Sequence, residues 1–235
     1  MANQKYIEIE KIVEERKKAQ WDNYFNLRDF HNGIYDCDYL SPYSKGAHNV
    51  NAKVMLVLQD WASVDYLKSL CDEDQESLSQ LGRDPKLFTN INITDLLNRH
   101  FRLDLADTYA TNLFPFIKQG AMSSSIPIQD LNCAAIKYTK PLIEIIQPTI
   151  VICFGIKTFN ALIASYGYKG STKMAEAINR PKTVGTVLIH CLPHPGRLGK
   201  TTEIKVVLIE FQKIGLHWLR LLTLQPRLSK KHTLN

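Results

Sequence analysis

The chain lacks several features that would assign its class at once. It has five cysteines, Cys37, Cys71, Cys133, Cys153 and Cys191; none forms a Cys-x-x-Cys pair and their number is odd. Neither a zinc ribbon nor a disulfide framework is expected. No apolar run reaches the length of a membrane span, and residues 1–18 are charged, without the apolar core of a secretion signal. The first strand-like run is not followed by a glycine-rich phosphate loop, which argues against a nucleotide-binding protein of flavodoxin type. There is no internal repeat and no linker that would split the chain. These absences lead to one domain over residues 1–235, in the cytosol, with reduced thiols, no metal, no cofactor and no membrane. No oligomeric interface is legible, so a monomer is expected.

What is present points to a globular α/β protein. Hydrophobic residues make up 45% of the 235, enough for a buried core. Lysine and arginine number 29 against 23 acidic residues, a net charge of +6. That excess suits a polyanionic partner without requiring one. Residues 4–30 read as an N-terminal helix and 31–52 as a loop rich in Asn, Gly, Ser, Pro and Tyr. Short apolar runs at 53–58, 108–112, 149–154 and 184–192 read as strands. Helical segments separate them: 65–104 with a loop around Gly82-Arg83-Asp84-Pro85, a segment opened by Pro127, another over 157–166, and a closing helix over 203–224. The tail, 229–235, is expected to fray. Strands alternating with helices imply a four-stranded parallel sheet flanked by helices on both faces. Cys153 and Cys191 fall inside strand runs and are expected to be buried.

Ligands of such sheets bind beyond the carboxyl ends of the strands. The residues there are Gln59-Asp60-Trp61-Ala62 after the first strand and Asn112-Leu113-Phe114-Pro115-Phe116 after the second. Gly155 follows the third, and His194-Pro195-Gly196-Arg197-Leu198 the fourth. A carboxamide both donates and accepts, so Asn112 can read the edge of a nucleobase. Trp61, Phe114 or Phe116 can stack on it. His194 can stabilise charge on a leaving pyrimidine, and Asp60 can hold a water against a cationic sugar. Leu198, flanked by Arg197 and Lys200, can fill the gap left by an extruded nucleotide. Lys118, Ser123, Ser124 and Ser125 lie on loops suited to phosphate contacts. Each has an ordinary alternative: Asp60 as a helix cap, Asn112 as a turn residue, the phenylalanines as core, His194 and Leu198 as loop residues.

Together these residues resemble the signature of the uracil-DNA glycosylase superfamily, over about residues 53–222. Val57-Leu58-Gln59-Asp60 resembles the start of the water-activating motif, whose pattern is Gly-Gln-Asp-Pro-Tyr-His. His194-Pro195-Gly196-Arg197-Leu198 resembles the second motif, His-Pro-Ser-Pro-Leu. Thr111-Asn112 resembles the strand that presents the base-reading asparagine. The resemblance implies a metal-independent, monofunctional DNA glycosylase that hydrolyses the N-glycosidic bond of a flipped pyrimidine. Asp60 and His194 would be catalytic, with Asn112 reading the base, Gln59 lending backbone groups to its pocket and Leu198 as the wedge. The cysteine ligands of the family's iron–sulfur branch are missing. Ala62 stands where the family has a tyrosine that excludes 5-substituted pyrimidines, and Trp61 where it has proline, so a base larger than uracil is expected to fit. The rival from another class is a non-catalytic DNA-binding module, which would need neither Asp60 nor His194.

Overall fold

The computed structural model describes residues 2–197 and 202–224. Its strands are β1 (Tyr24–Phe25), β2 (Val54–Asp60), β3 (Tyr109–Phe114), β4 (Ile117–Lys118), β5 (Ile150–Phe154), β6 (Lys182–Val184) and β7 (Val187–Leu192). Five form one sheet in the order β3-β2-β5-β7-β6, and β1 pairs with β4 in a separate antiparallel ribbon. β3, β2, β5 and β7 run parallel, whereas β6 runs antiparallel to β7. The sheet is therefore five-stranded and mixed, not four-stranded and all parallel. The run 184–192 looked continuous but is broken at Gly185-Thr186. Gly185 takes a φ of 57° there, and the chain folds into a two-residue hairpin that adds an edge strand.

The helices are α1 (Ala2–Lys18), α2 (Val64–Lys68), α3 (Asp72–Leu81), α4 (Phe88–Leu96), α5 (Ile128–Ala134), α6 (Lys140–Ile146), α7 (Ile156–Ala164), α8 (Met174–Asn179) and α9 (Thr202–Leu224). Strand alternation feeds two apolar layers. Val54, Leu56, Leu58, Ile150, Ile152 and Phe154 face Ile93 and Leu96 of α4 and Phe211, Ile214 and Trp218 of α9. Met55, Val57, Val151, Cys153, Ile189 and Cys191 face α1, α5, α6 and α7 through residues such as Val13, Leu131, Leu142 and Phe159. Both faces of the central strands are thus covered, which is why they read as unbroken apolar runs.

α1 stops at Lys18, well short of residue 30. The Asn26 side chain donates to the carbonyls of Arg16, Lys17 and Ala19 at 3.2–3.4 Å, satisfying the end of the helix. Tyr24 and Phe25 then pair with Ile117 and Lys118. Arg16 is fully buried and is held by Asp36 at 3.0 Å, Asn26 at 3.2 Å, and the carbonyls of Cys37 and Tyr39 at 2.9 and 3.0 Å. This ties the segment 36–39 to α1, and the chain continues from it directly into the site.

Among the described residues no helix is long and apolar enough to cross a membrane, and no group of three His, Cys, Asp or Glu could hold a metal ion.

Candidate functional site

Three strand ends meet at one cavity of ≈ 270 Å³, bordered by Asp60, Asn112 and His194 together with Tyr43, Trp61, Tyr66, Arg83 and Asp84. Asp60 is the last residue of β2 and lies opposite Phe114 of β3. Asn112 is paired with Leu58, inside β3 rather than beyond it. His194 follows β7 and leads into the turn Pro195–Arg197.

Asp60 does not cap the next helix; Ser63 does, accepting from the Tyr66 N–H at 3.4 Å. The carboxylate is instead almost withdrawn from water and paired with Lys118. Nζ lies 2.8 Å from Oδ2, with the two side chains 4% and 8% exposed. Gln59 Nε2 donates to Oδ1 at 2.9 Å. Each carboxylate oxygen has a second lone pair to offer, so the group can still accept a proton from a water in the cavity. Lys118 also donates to the Met122 carbonyl at 2.6 Å. It is therefore not a surface cation reaching for DNA but the buried counter-ion of Asp60. Sequence reasoning missed this because β4 carries Lys118 back under the end of β2, a placement set by its pairing with β1.

Asn112 is 1% exposed, and its Oδ1 accepts from the Ser41 hydroxyl at 2.5 Å. The Ser41 oxygen in turn accepts the Tyr43 N–H at 3.3 Å. This relay orients the amide, and its Nδ2 is buried without any hydrogen-bond partner. A buried amide donor without a partner costs free energy of order 1–3 kcal/mol, and a carbonyl acceptor entering the cavity would relieve it. Tyr43 donates to Asn90 Oδ1 at 2.8 Å, and Asn90 donates to the Asp84 carbonyl at 2.6 Å. The wall from Tyr43 to Asp84 is thereby fixed.

His194 sits at the mouth, exposed as a residue. Its Nδ1 accepts the Gly196 N–H at 3.2 Å, so the neutral ring carries its proton on Nε2 and can donate. The surrounding protein withdraws water from the ring and lowers its pKa from 6.5, while the Asp60 charge works in the other direction. Asn92 of α4 donates to the Pro195 carbonyl at 2.7 Å and anchors this turn. A Cβ on Gly196 would come within 2.9 Å of Thr89 Oγ1 and 3.0 Å of His194 Nδ1, so a side chain here would push on Thr89 and on the ring.

Trp61 borders the cavity edge-on to Tyr35, with ring centroids 5.2 Å apart, and donates to the Gly82 carbonyl at 2.8 Å. Gly82 ends α3 with a φ of 68°, and a Cβ there would collide with the Pro42 carbonyl. That close approach brings Arg83 and Asp84 into the wall. Ala62, in contrast, is fully buried with Leu27, Phe30 and Tyr35 and does not border the cavity. The absence of a ring at residue 62 therefore opens no space by itself; Trp61 and Tyr66 set the width. Phe114 is likewise no stacking platform. It is fully buried against Trp21, Tyr24 and Phe116, with centroids 4.6–5.6 Å apart. The rings at the cavity are those of Tyr43, Trp61 and Tyr66. Two of these were missed, Tyr43 because it lies in the loop 31–52 and Tyr66 because it lies in α2, away from any strand end.

Ser123 is exposed and Ser124 half-buried, on the loop whose neighbour Met122 borders the cavity. Arg197 closes the turn after His194. Leu198 and Lys200 lie outside the described residues.

No protein-family model matches the chain, and no curated protein matches it significantly.

Proposed function

We propose that the chain is a DNA glycosylase. It receives an extruded pyrimidine nucleotide in the cavity and hydrolyses its N-glycosidic bond, leaving an abasic site. The observation that carries this reading is the convergence of Asp60, Asn112 and His194, from three strand ends, on one cavity whose buried Asn112 donor has no partner. At ≈ 270 Å³ the cavity is small for a ligand site, which suits one nucleobase rather than a dinucleotide.

In this reading the Asn112 NH₂ donates to a ring carbonyl of the base, and Tyr43, Trp61 and Tyr66 form walls for its planar faces. A water held by Asp60 attacks the sugar. The new carbon–oxygen bond forms as the carbon–nitrogen bond breaks, the electron pair leaves on the base, and the water's proton goes to the carboxylate. His194 Nε2–H donates to the oxygen on which the base's charge gathers. Lys118 stays paired with Asp60 and is not positioned as a nucleophile. Arg197, Lys200, Ser123 and Ser124 would contact phosphates, and Leu198 would fill the vacated stack. Substrates are uracil or a pyrimidine substituted at carbon five.

The Asp60–Lys118 pair is the one feature that favours the alternative, a DNA-binding module that has kept the fold, because a neutralised carboxylate suits a purely structural role. One assay separates the two. Duplexes carrying uracil, thymine, 5-hydroxymethyl and bulkier pyrimidines are incubated with the protein and abasic sites are cleaved. Strand cleavage at one of these bases supports the glycosylase; binding without cleavage on every duplex leaves the module.

A further inference from the structure

We propose that Phe88, the first residue of α4, is a stacking platform for a nucleobase beside the extruded nucleotide. The proposal rests on the reading that the cavity receives a flipped base. It adds a contact that lies outside the chemistry.

Phenylalanine is ordinarily a core residue. Of the nine in this chain, only Phe88 is exposed, at 68%, and among the described residues no large apolar side chain is more so. Leu87 and Ile91 are 42% and 48% exposed. Ile91 follows Phe88 by three positions and Leu87 by four, and its N–H bonds to the Leu87 carbonyl at 3.1 Å. Those spacings put the three on one side of the helix start, so the ring belongs to an apolar strip.

The strip is fixed at the mouth of the cavity. Leu87 and Thr89, on either side of Phe88 in the chain, both border it. The bonds of buried Asn90 to Tyr43 and to the Asp84 carbonyl stop the start of α4 from sliding. Asn92 ties the same helix to the Pro195 carbonyl at 2.7 Å. Phe88 and the turn that carries His194 and Arg197 therefore form one lip.

The surroundings of the strip suit nucleic acid. Leu87 leaves the amino end of α4 without a side-chain cap, and a phosphate there would meet N–H groups and the positive end of the helix dipole. Arg83 borders the cavity a few residues upstream. Lys86 is 80% exposed, and its ion pair with Asp74 lies in open water, where it exchanges readily. A ring for base faces beside groups for phosphates is the combination that holds single-stranded nucleotides. Extruding a nucleotide uncovers the faces of its neighbours in the stack; Phe88 would cover one of them and so offset part of the cost of extrusion.

The test reads binding without cleavage. Two duplexes carry a tetrahydrofuran abasic analogue at the target position, with 2-aminopurine on its 5′ side in one and on its 3′ side in the other. We expect wild-type protein to bind both and to change the 2-aminopurine fluorescence in at least one. In Phe88→Ala affinity should fall about 10-fold and that change should vanish, with the melting curve unmoved. Phe88→Leu, apolar but without a ring, should lose the signal as well, and Phe88→Trp should keep it. Affinity within two-fold of wild type in Phe88→Ala, a signal that survives in Phe88→Leu, or no binding by the wild type would overturn the proposal. So would a wild-type dimer that Phe88→Ala dissolves in sedimentation, which assigns the strip to a second copy of the chain. The two readings fail separately. Binding that depends on Phe88, with no cleavage of any modified duplex, removes the glycosylase and keeps the platform; cleavage with full affinity in Phe88→Ala does the reverse.

Discussion

The two ends of the sheet carry cavities of nearly equal size, ≈ 270 and ≈ 250 Å³, and treat charge in opposite ways. At the carboxyl end, Asp60 and Lys118 are desolvated and locked together. At the amino end, Asp38 is 94% exposed and shares Lys17 with Glu14 in open water. A buried pair is held in one geometry by the cost of separating it, whereas an exposed pair is worth little and rearranges freely. The first arrangement suits a group that must stay aimed at one atom; the second leaves its side chains free to exchange partners. Each cavity also keeps one buried polar group without a partner, Asn112 Nδ2 or the Tyr109 hydroxyl.

The sharpest way to break this contrast is Asp60→Asn. It keeps the shape and the Gln59 contact but removes the base that would take the water's proton. Excision should fall by about 10²–10⁴-fold while duplex affinity is retained. Wild-type turnover in this variant would remove Asp60 from the chemistry and leave the carboxyl end with no more catalytic claim than the amino end. Lys118→Met comes next. It leaves a carboxylate buried without its counter-ion, and urea unfolding should show a loss of about 3–5 kcal/mol. Lys17→Met, which opens the exposed pair, should cost under about 1 kcal/mol. Equal losses at the two positions would mean that the difference in burial has no energetic weight.

The same contrast explains what could be read in the sequence. The β2, β3 and β5 runs were legible because strands covered on both faces are continuously apolar, and Asp60 and His194 because they stand where those runs stop. Asn112 was legible because it closes the run read as the second strand, although β3 continues past it. Lys118 was not, since its partner is 58 positions away and is set by ribbon pairing that leaves no periodic trace. The roles of Ala62 and Phe114 were misassigned for a related reason. Ala62 stands past the end of β2, where the two-residue alternation lapses and spacing no longer says which way a side chain points, whereas Phe114 is still inside β3, which runs two residues beyond the apolar run that was read as the strand. The amino-end cleft left no motif at all, because its residues come from a helix face, a loop and a strand start.

A third test separates protonation of the site from acid unfolding of the sheet between the cavities. His190 of β7 belongs to neither, and burial, with a smaller contribution from His217, pushes its pKa from 6.5 down to about 4. The unfolded chain takes up this proton near 6.5 and the folded chain only near 4. Stability from this group is therefore complete above pH 6.5 and is lost as pH falls from there to about 4, by up to about 3 kcal/mol. His190→Leu should flatten that limb of the unfolding free energy. The His194 pKa is lowered too, and protonation would put a hydrogen on the Nδ1 that accepts the Gly196 N–H and so release the ring from its aim; excision should therefore keep its own acid limb below pH 6.5 in that variant. If both limbs vanish together, loss of activity in acid is unfolding and not titration of the site.

The smallest effect concerns the amino-end phenol. A hydroxyl buried without a partner is a cost carried by the free protein, so Tyr109→Phe should stabilise the unliganded chain, by up to about 1 kcal/mol. For a chain of this size that is a rise in melting temperature of roughly 2–4 °C, measurable by scanning calorimetry. A core hydroxyl that serves the fold costs stability when removed; one buried without a partner returns it. A fall in melting temperature in Tyr109→Phe would show that the hydroxyl is already satisfied within the protein. The amino end would then lose the feature it shares with Asn112.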